Sequence, residues 1–266
     1  MGMAKYVWRK ASLTRQEINE NRQRLRLWYE SNTGQLLADL EIQHLDQVLA
    51  TLFGYYVVQV GCVVNRDLLK ESRVKYCIVM DPDPHSVPVP QVFAYPDSLP
   101  VVADAVDVVV LPHTLEFERD PHQILREVDR VLIPEGHVII FGFNPWSLWG
   151  VWRLLLAHRM QPPWTGRFLS TMRCQDWLAL LGFDLVLERQ FFFRPPLQHL
   201  GVMRRLHFME RLGQRFWRRN AGVYMLVAKK RVTTLTPIRP RWRPRRSLIG
   251  TLAGPSPRRV RCSKMG

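Results

Sequence analysis

The chain is short of acidic residues, of cysteine and of long apolar runs. Against 38 lysines and arginines stand only 23 aspartates and glutamates, a formal net charge of +15. Residues 231–266 contain no acidic residue at all. A surplus of this sign favours anionic partners, although a charge run is as often a solvated surface. The four cysteines, Cys62, Cys77, Cys174 and Cys262, are scattered with no Cys-x-x-Cys pair. That argues against zinc and a disulfide framework, and fits a reducing compartment. The N-terminus has no apolar core of the secretory kind. The most apolar stretch, around Trp146, Trp149 and Trp152, is too broken by Gly142, Asn144-Pro145 and Gly150 to span a bilayer. The expectation is a cytoplasmic protein, with peripheral membrane attachment left open.

What the chain does have is a series of short apolar runs. Val57–Gly61, Tyr76–Asp81, Val106–Leu111 and His137–Gly142 are rich in Val and Ile and apolar on both faces. Such runs suit strands buried in a parallel sheet. The intervening segments are long enough for crossovers, and one is plainly helical. Asp120 is a good N-cap, Pro121 suits the first helical position and Gln123 gives a capping-box spacing. Ile124, Leu125, Val128, Val131 and Leu132 then share one face. Pro134-Glu135-Gly136 turns the chain into the next strand. The pattern predicts an α/β fold, doubly wound. A helix is expected from Gly34 to Leu52 and another from Ser170 to Leu181, stopped by Gly182. Strands are expected at Gln91–Tyr95, Phe183–Phe193 and Val223–Lys229.

The order Asp107-Val108-Val109-Val110, His113-Thr114-Leu115-Glu116-Phe117, Asp120-Pro121, Leu125-Arg126-Glu127-Val128 and Arg130–Gly136 resembles the second half of the class I S-adenosylmethionine-dependent methyltransferase core. Ser98-Leu99-Pro100 ahead of Val106-Asp107 strengthens the likeness to the methyltransferase type 11 group. The resemblance covers roughly residues 35 to 230. It implies a Rossmann-like sheet, mostly parallel with an antiparallel last strand, and S-adenosylmethionine as cofactor.

The resemblance also nominates site residues. Gly61 and Cys62 fall in the glycine-rich turn after the first strand, where a missing Cβ lets backbone approach the cofactor. Val63 and Asn65 stand where two further glycines would be, and Gln59 where an acid would be. Val63 resists positive φ and adds bulk where the ligand should lie, whereas Asn65 tolerates a left-handed backbone. Asp81, closing the second strand, is placed to accept ribose hydroxyls. Tyr95, Ser98, Leu99 and Asp97 lie where the adenine is held; Pro96 has no N–H to offer. His113 is the best-placed general base, with Glu116 second. The alternative for both is ordinary bonding within a loop.

Residues 1–33 read as a basic extension, loosely packed or a partner-binding arm. Residues 34–230 form the methyltransferase-like domain, and 231–266 a disordered basic Pro/Arg-rich tail. Arg204, Arg205, Arg211, Arg215, Arg218 and Arg219 mix with Phe208, Phe216 and Trp217 in a basic amphipathic pattern. With the tail, it is a candidate surface for nucleic acid or an anionic membrane. Three functions remain open: a methyltransferase of unknown acceptor, an inactive relative that binds nucleic acid or another polyanion, and a membrane-surface methyltransferase of an apolar acceptor.

Overall fold

A computed structural model describes residues 14–86, 89–156, 163–194 and 220–232. The basic segment from Arg204 to Arg219 and the tail beyond 232 lie outside the described residues. Helices α1 (Arg15–Tyr29) and α2 (Asn32–Leu49) precede β1 (Tyr56–Val60) and β2 (Tyr76–Met80). There follow β3 (Val106–Pro112), the short α3 (Thr114–Phe117), α4 (Pro121–Val131) and β4 (Leu132–Phe143). The remainder comprises α5 (Leu148–Leu156), α6 (Thr171–Leu180), β5 (Phe183–Phe191) and β6 (Val223–Lys230).

The six strands form one sheet in the order β2-β1-β3-β4-β6-β5. Strands β1 to β4 pair in parallel, while β6 runs antiparallel to both β4 and β5. The period of two along each strand divides the core into two layers. Val57, Val108, Val110, Ile139 and Met225 face a layer containing Leu25, Leu37, Leu45 and Leu49 of α1 and α2. Val58, Val60, Val109, Ile140 and Leu226 face Ile124, Leu125, Val128 and Leu178 of α4 and α6. Helices therefore cover both faces of the sheet, and the runs Val57-Val58, Val108–Leu111 and Val138–Phe141 are apolar because neither face meets water there.

The local signals act as the sequence suggests. The Asp120 carboxylate accepts the N–H groups of His122 and Gln123, with Pro121 in the first turn. Ser170 caps α6, and Gly182 ends it at φ +85°. The helix expected from Gly34 begins two residues earlier, capped by Ser31.

Two expectations fail. Gln91–Tyr95 is not a strand: it meets β2 through one parallel bridge, between Val92 and Met80, and through hydrogen bonds of Gln91 to Val79. Pro90 and Pro96 flank it, and proline gives a ladder no donor. Residues 15–29 are not a loose extension. They form a helix with a complete capping box between Thr14 and Glu17. Ile18, Arg22, Leu25, Arg26 and Tyr29 of that helix are buried.

Candidate functional site

The strand order reverses between β1 and β3, so the sheet has a switch point at its carboxyl edge, the usual place for a ligand crevice in open α/β folds. There β1 ends in Gly61, at φ +98°. Its N–H donates to the Met80 carbonyl at 2.8 Å, and its own carbonyl accepts Gln59 Nε2 at 2.9 Å. A Cβ added here would lie 2.8 Å from Thr114 Oγ1 and 3.0 Å from Arg22 Nη2. Conformation and crowding both require glycine.

The two positions that lack the expected glycines cause no strain. Among the described residues, neither Val63 nor Asn65 has positive φ. The Val63 side chain is buried within the core cluster that also holds Val64 and Leu68. Asn65 Nδ2 donates to Glu30 Oε1 at 2.6 Å.

Asp81 is fully buried. Its Oδ2 accepts the Cys62 N–H at 2.7 Å and Arg22 Nη2 at 2.9 Å, while Oδ1 accepts the Asp83 N–H at 2.8 Å. Arg22 Nη1 also reaches Glu118 Oε1 at 3.2 Å. One helical turn on, Arg26 pairs with Asp83 at 2.7 Å. Two arginines and three carboxylates thus form a cluster at the switch point. Burial pushes the Glu118 carboxyl up, against the pull of Arg22. Burial also acts to raise Asp83, but the His85 N–H, Gln23 and Arg26 outweigh it and hold that carboxyl down. The Cys62 thiol is pushed up to about 12 by burial and by Asp81, so it is no nucleophile.

A cavity of about 190 Å³ is lined by Arg15, Ile18, Tyr95, Asp97, Glu118 and Ile124, among others, with Glu118 the residue it shares with the arginine cluster. The Arg15 guanidinium lies over the Tyr95 ring, 4.0 Å from its centroid. Among the described residues, Asp97 Oδ1 is buried with no hydrogen-bond partner. Ser98 and Leu99 do not supply free donors. The Ser98 N–H closes a turn onto the Tyr95 carbonyl at 3.1 Å, and the Leu99 N–H donates to Glu127 Oε2 at 3.1 Å. Backbone groups committed in this way cannot also hold a ligand.

His113 and Glu116 are brought together, but they are closed off. His113 occupies a left-handed backbone conformation, φ 52°, and is fully buried. Its Nδ1 contacts Glu116 Oε2 at 2.9 Å and its Nε2 contacts Glu41 Oε1 at 2.8 Å. The Tyr29 hydroxyl donates to Glu41 as well, at 3.0 Å, and the Phe143 N–H donates to Glu116. Burial opposes an imidazolium, but the two carboxylates outweigh it and lift His113 to about 9. At neutral pH both ring nitrogens then carry protons and donate, leaving no lone pair for a substrate proton. His113, the best-placed general base by sequence, is thus engaged on both ring nitrogens by carboxylates inside the protein.

Sequence reasoning missed Arg22, Arg26, Tyr29 and Glu41. All four lie on α1 and α2, ahead of the first strand. The one available signal was the spacing of Arg22 and Arg26, which places them on one helical face.

Residues 58–140 match the family model described as "Methyltransferase domain". An uncharacterized protein of Escherichia coli strain K12, YafS, is 32% identical over 212 residues, covering 79% of this chain and 82% of its own. This chain belongs to the class I S-adenosylmethionine-dependent methyltransferases. The fold of this methyltransferase agrees with solved structures. A Thermotoga maritima S-adenosylmethionine-dependent methyltransferase, described as a possible histamine N-methyltransferase, superposes with a TM-score of 0.54 at 17% identity, covering 72% of this chain and 89% of its own. A Haloferax volcanii putative methyltransferase, solved with the Trm112 methyltransferase activator, gives 0.54 at 14% identity, covering 78% and 98%.

S-Adenosylmethionine is the cofactor of the family. The donor set of this methyltransferase suits it: a glycine with positive φ, a buried aspartate at the end of β2 and an orphaned carboxylate oxygen on Asp97. The space, however, is partly taken. Arg22 stands against Gly61 and Asp81, and the open cavity of about 190 Å³ falls below the roughly 300 Å³ at which small-molecule sites begin.

Proposed function

We propose that this methyltransferase holds the ribose of S-adenosylmethionine on Asp81 and its adenine between Tyr95 and Asp97. The acceptor would be a nucleophile that needs no enzymic base. The observation that carries the first part is Asp81: a fully buried carboxylate beside Gly61 at the switch point, where a diol donates to a carboxylate. Asp97 Oδ1 supports the adenine side, because an exocyclic amino group would satisfy a buried oxygen that lacks a donor. Tyr95 offers a ring face to the same cavity, now covered by Arg15.

When bound, the cofactor supplies an electrophilic methyl on a sulfonium, already equipped with a good leaving group. The chain's own residues then have positioning as their main task. His113, Glu41 and Glu116 set the shape of the loop after β3, each committed to a partner inside the protein. That inventory supports an acceptor that arrives with its lone pair free, such as a thiolate or a neutral amine.

Equilibrium binding tests the assignment. Titration calorimetry with S-adenosylmethionine should show binding to the natural chain, at least tenfold weaker in Asp81→Asn and several-fold weaker in Asp97→Asn, on the order of 1 kcal/mol per lost hydrogen bond. Binding unchanged by Asp81→Asn would rule the ribose role out.

A further inference from the structure

Arg22 has no part in holding the cofactor as just described, yet it occupies the centre of the crevice. Its side chain is only 3% exposed. One guanidinium nitrogen serves both as the donor to Asp81 and as the close neighbour of Gly61, while the other reaches Glu118. Arg26, on the same face of α1, holds Asp83, which Gln23 also contacts at 3.2 Å. Helix α1 is thus pinned at the carboxyl edge by arginine-carboxylate pairs. Two of the acids, Asp81 and Asp83, belong to the loop that follows β2.

The balance of such pins favours exchange. Bringing an arginine and a carboxylate out of water costs nearly as much as their attraction returns. Asp81 would keep the Cys62 and Asp83 N–H donors if Arg22 left, so its charge would not be stranded. A ligand that brings its own hydroxyls to Asp81 can therefore replace the guanidinium.

We propose that α1 is an internal competitor for the cofactor site, with Arg22 and the ribose holding Asp81 in turn. The inference rests on the methyltransferase reading. Two states follow, closed with Arg22 on Asp81 and open with α1 withdrawn from the crevice. The apparent affinity for the cofactor is the intrinsic one reduced by the open fraction. Any anionic partner that draws Arg22 and Arg26 away would raise that affinity, by reciprocal linkage.

Arg22→Met keeps the length and apolar stem of the side chain and removes the charge. Calorimetry on the full chain should give a dissociation constant for S-adenosylhomocysteine at least tenfold lower in Arg22→Met than in the natural sequence. Equal constants would overturn the competition and leave the cofactor assignment standing. Weaker binding would also overturn it, by making Arg22 a ligand of the cofactor. Binding to neither chain at millimolar concentration would sink the cofactor assignment and the competition together. Hydrogen exchange on the natural chain reads the same question without a variant. Saturating S-adenosylhomocysteine should speed exchange of the amides in residues 15–29, and slower exchange there would refute the proposal.

Discussion

Two buried polar clusters lie along the carboxyl edge, built from similar chemistry to opposite ends. Around β3, His113 sits between Glu41 and Glu116, with Tyr29 and the Phe143 N–H completing the set. Around β1 and β2, Arg22 and Arg26 sit among Asp81, Asp83 and Glu118. In the first cluster a single cation bridges two carboxylates from different elements, and its removal would leave them facing each other. In the second, the central carboxylate has backbone donors of its own. The first cluster is a fastening that the fold needs in place; the second can change partners. Burial alone does not separate the two. What separates them is how firmly the acids are held once the cation departs: Glu116 and Glu41 keep one donor each, the Phe143 N–H and the Tyr29 hydroxyl, whereas Asp81 keeps two backbone N–H groups.

The largest expected effect tests the first cluster. His113→Ala should cost about 3–5 kcal/mol in urea denaturation, the usual penalty for stranding buried charge. A loss below ~1 kcal/mol would mean that the two glutamates are not both ionised around it. A pH series sharpens the same point. The folded-state value for His113, about 9, lies above the ordinary 6.5. Its stabilisation is therefore fully present below about pH 6.5 and disappears as pH rises through about 9. Across that window the natural chain should lose on the order of 3 kcal/mol relative to His113→Gln. Parallel pH profiles for the two proteins would contradict the assignment. The smallest effect belongs to the second cluster: Arg22→Met should cost only about 1–2 kcal/mol, because Asp81 retains two N–H donors. A penalty as large as that of His113→Ala would erase the contrast between the two clusters.

The sheet was largely legible in the sequence because its strands are buried on both faces and read as continuous apolar runs. The helix at Pro121–Val131 was legible from its cap, its proline and its apolar stripe. Asp81 and Gly61 were legible because a strand end fixes where a side chain points. His113 and Glu116 were found as neighbours, but not their burial, since the covering residue, Glu41, lies 72 positions from His113 in the chain. Arg22 was hidden by its setting. In a chain with so many basic residues, an arginine near the N-terminus reads as part of a loose basic extension or a partner-binding arm. Only the tertiary contact with a carboxylate 59 residues away reveals otherwise. Val63 misled for a related reason: the sequence shows its bulk, whereas the direction of that bulk depends on the core that receives it.

The failure of Gln91–Tyr95 to join the sheet has a consequence for how copies of this protein meet one another. It leaves β2 as the outermost strand on that flank, with Tyr76 and Cys77 exposed at its start. An open flank of this kind is a template for strand addition and hence for aggregation. Here the neighbouring segment carries Pro90 and Pro96 and makes one bridge to β2. The segment is too irregular to extend the sheet, yet Gln91 and Val92 take up backbone groups of Val79 and Asp81 at the far end of β2. That occupation shortens the stretch of β2 whose backbone is left open to strand addition.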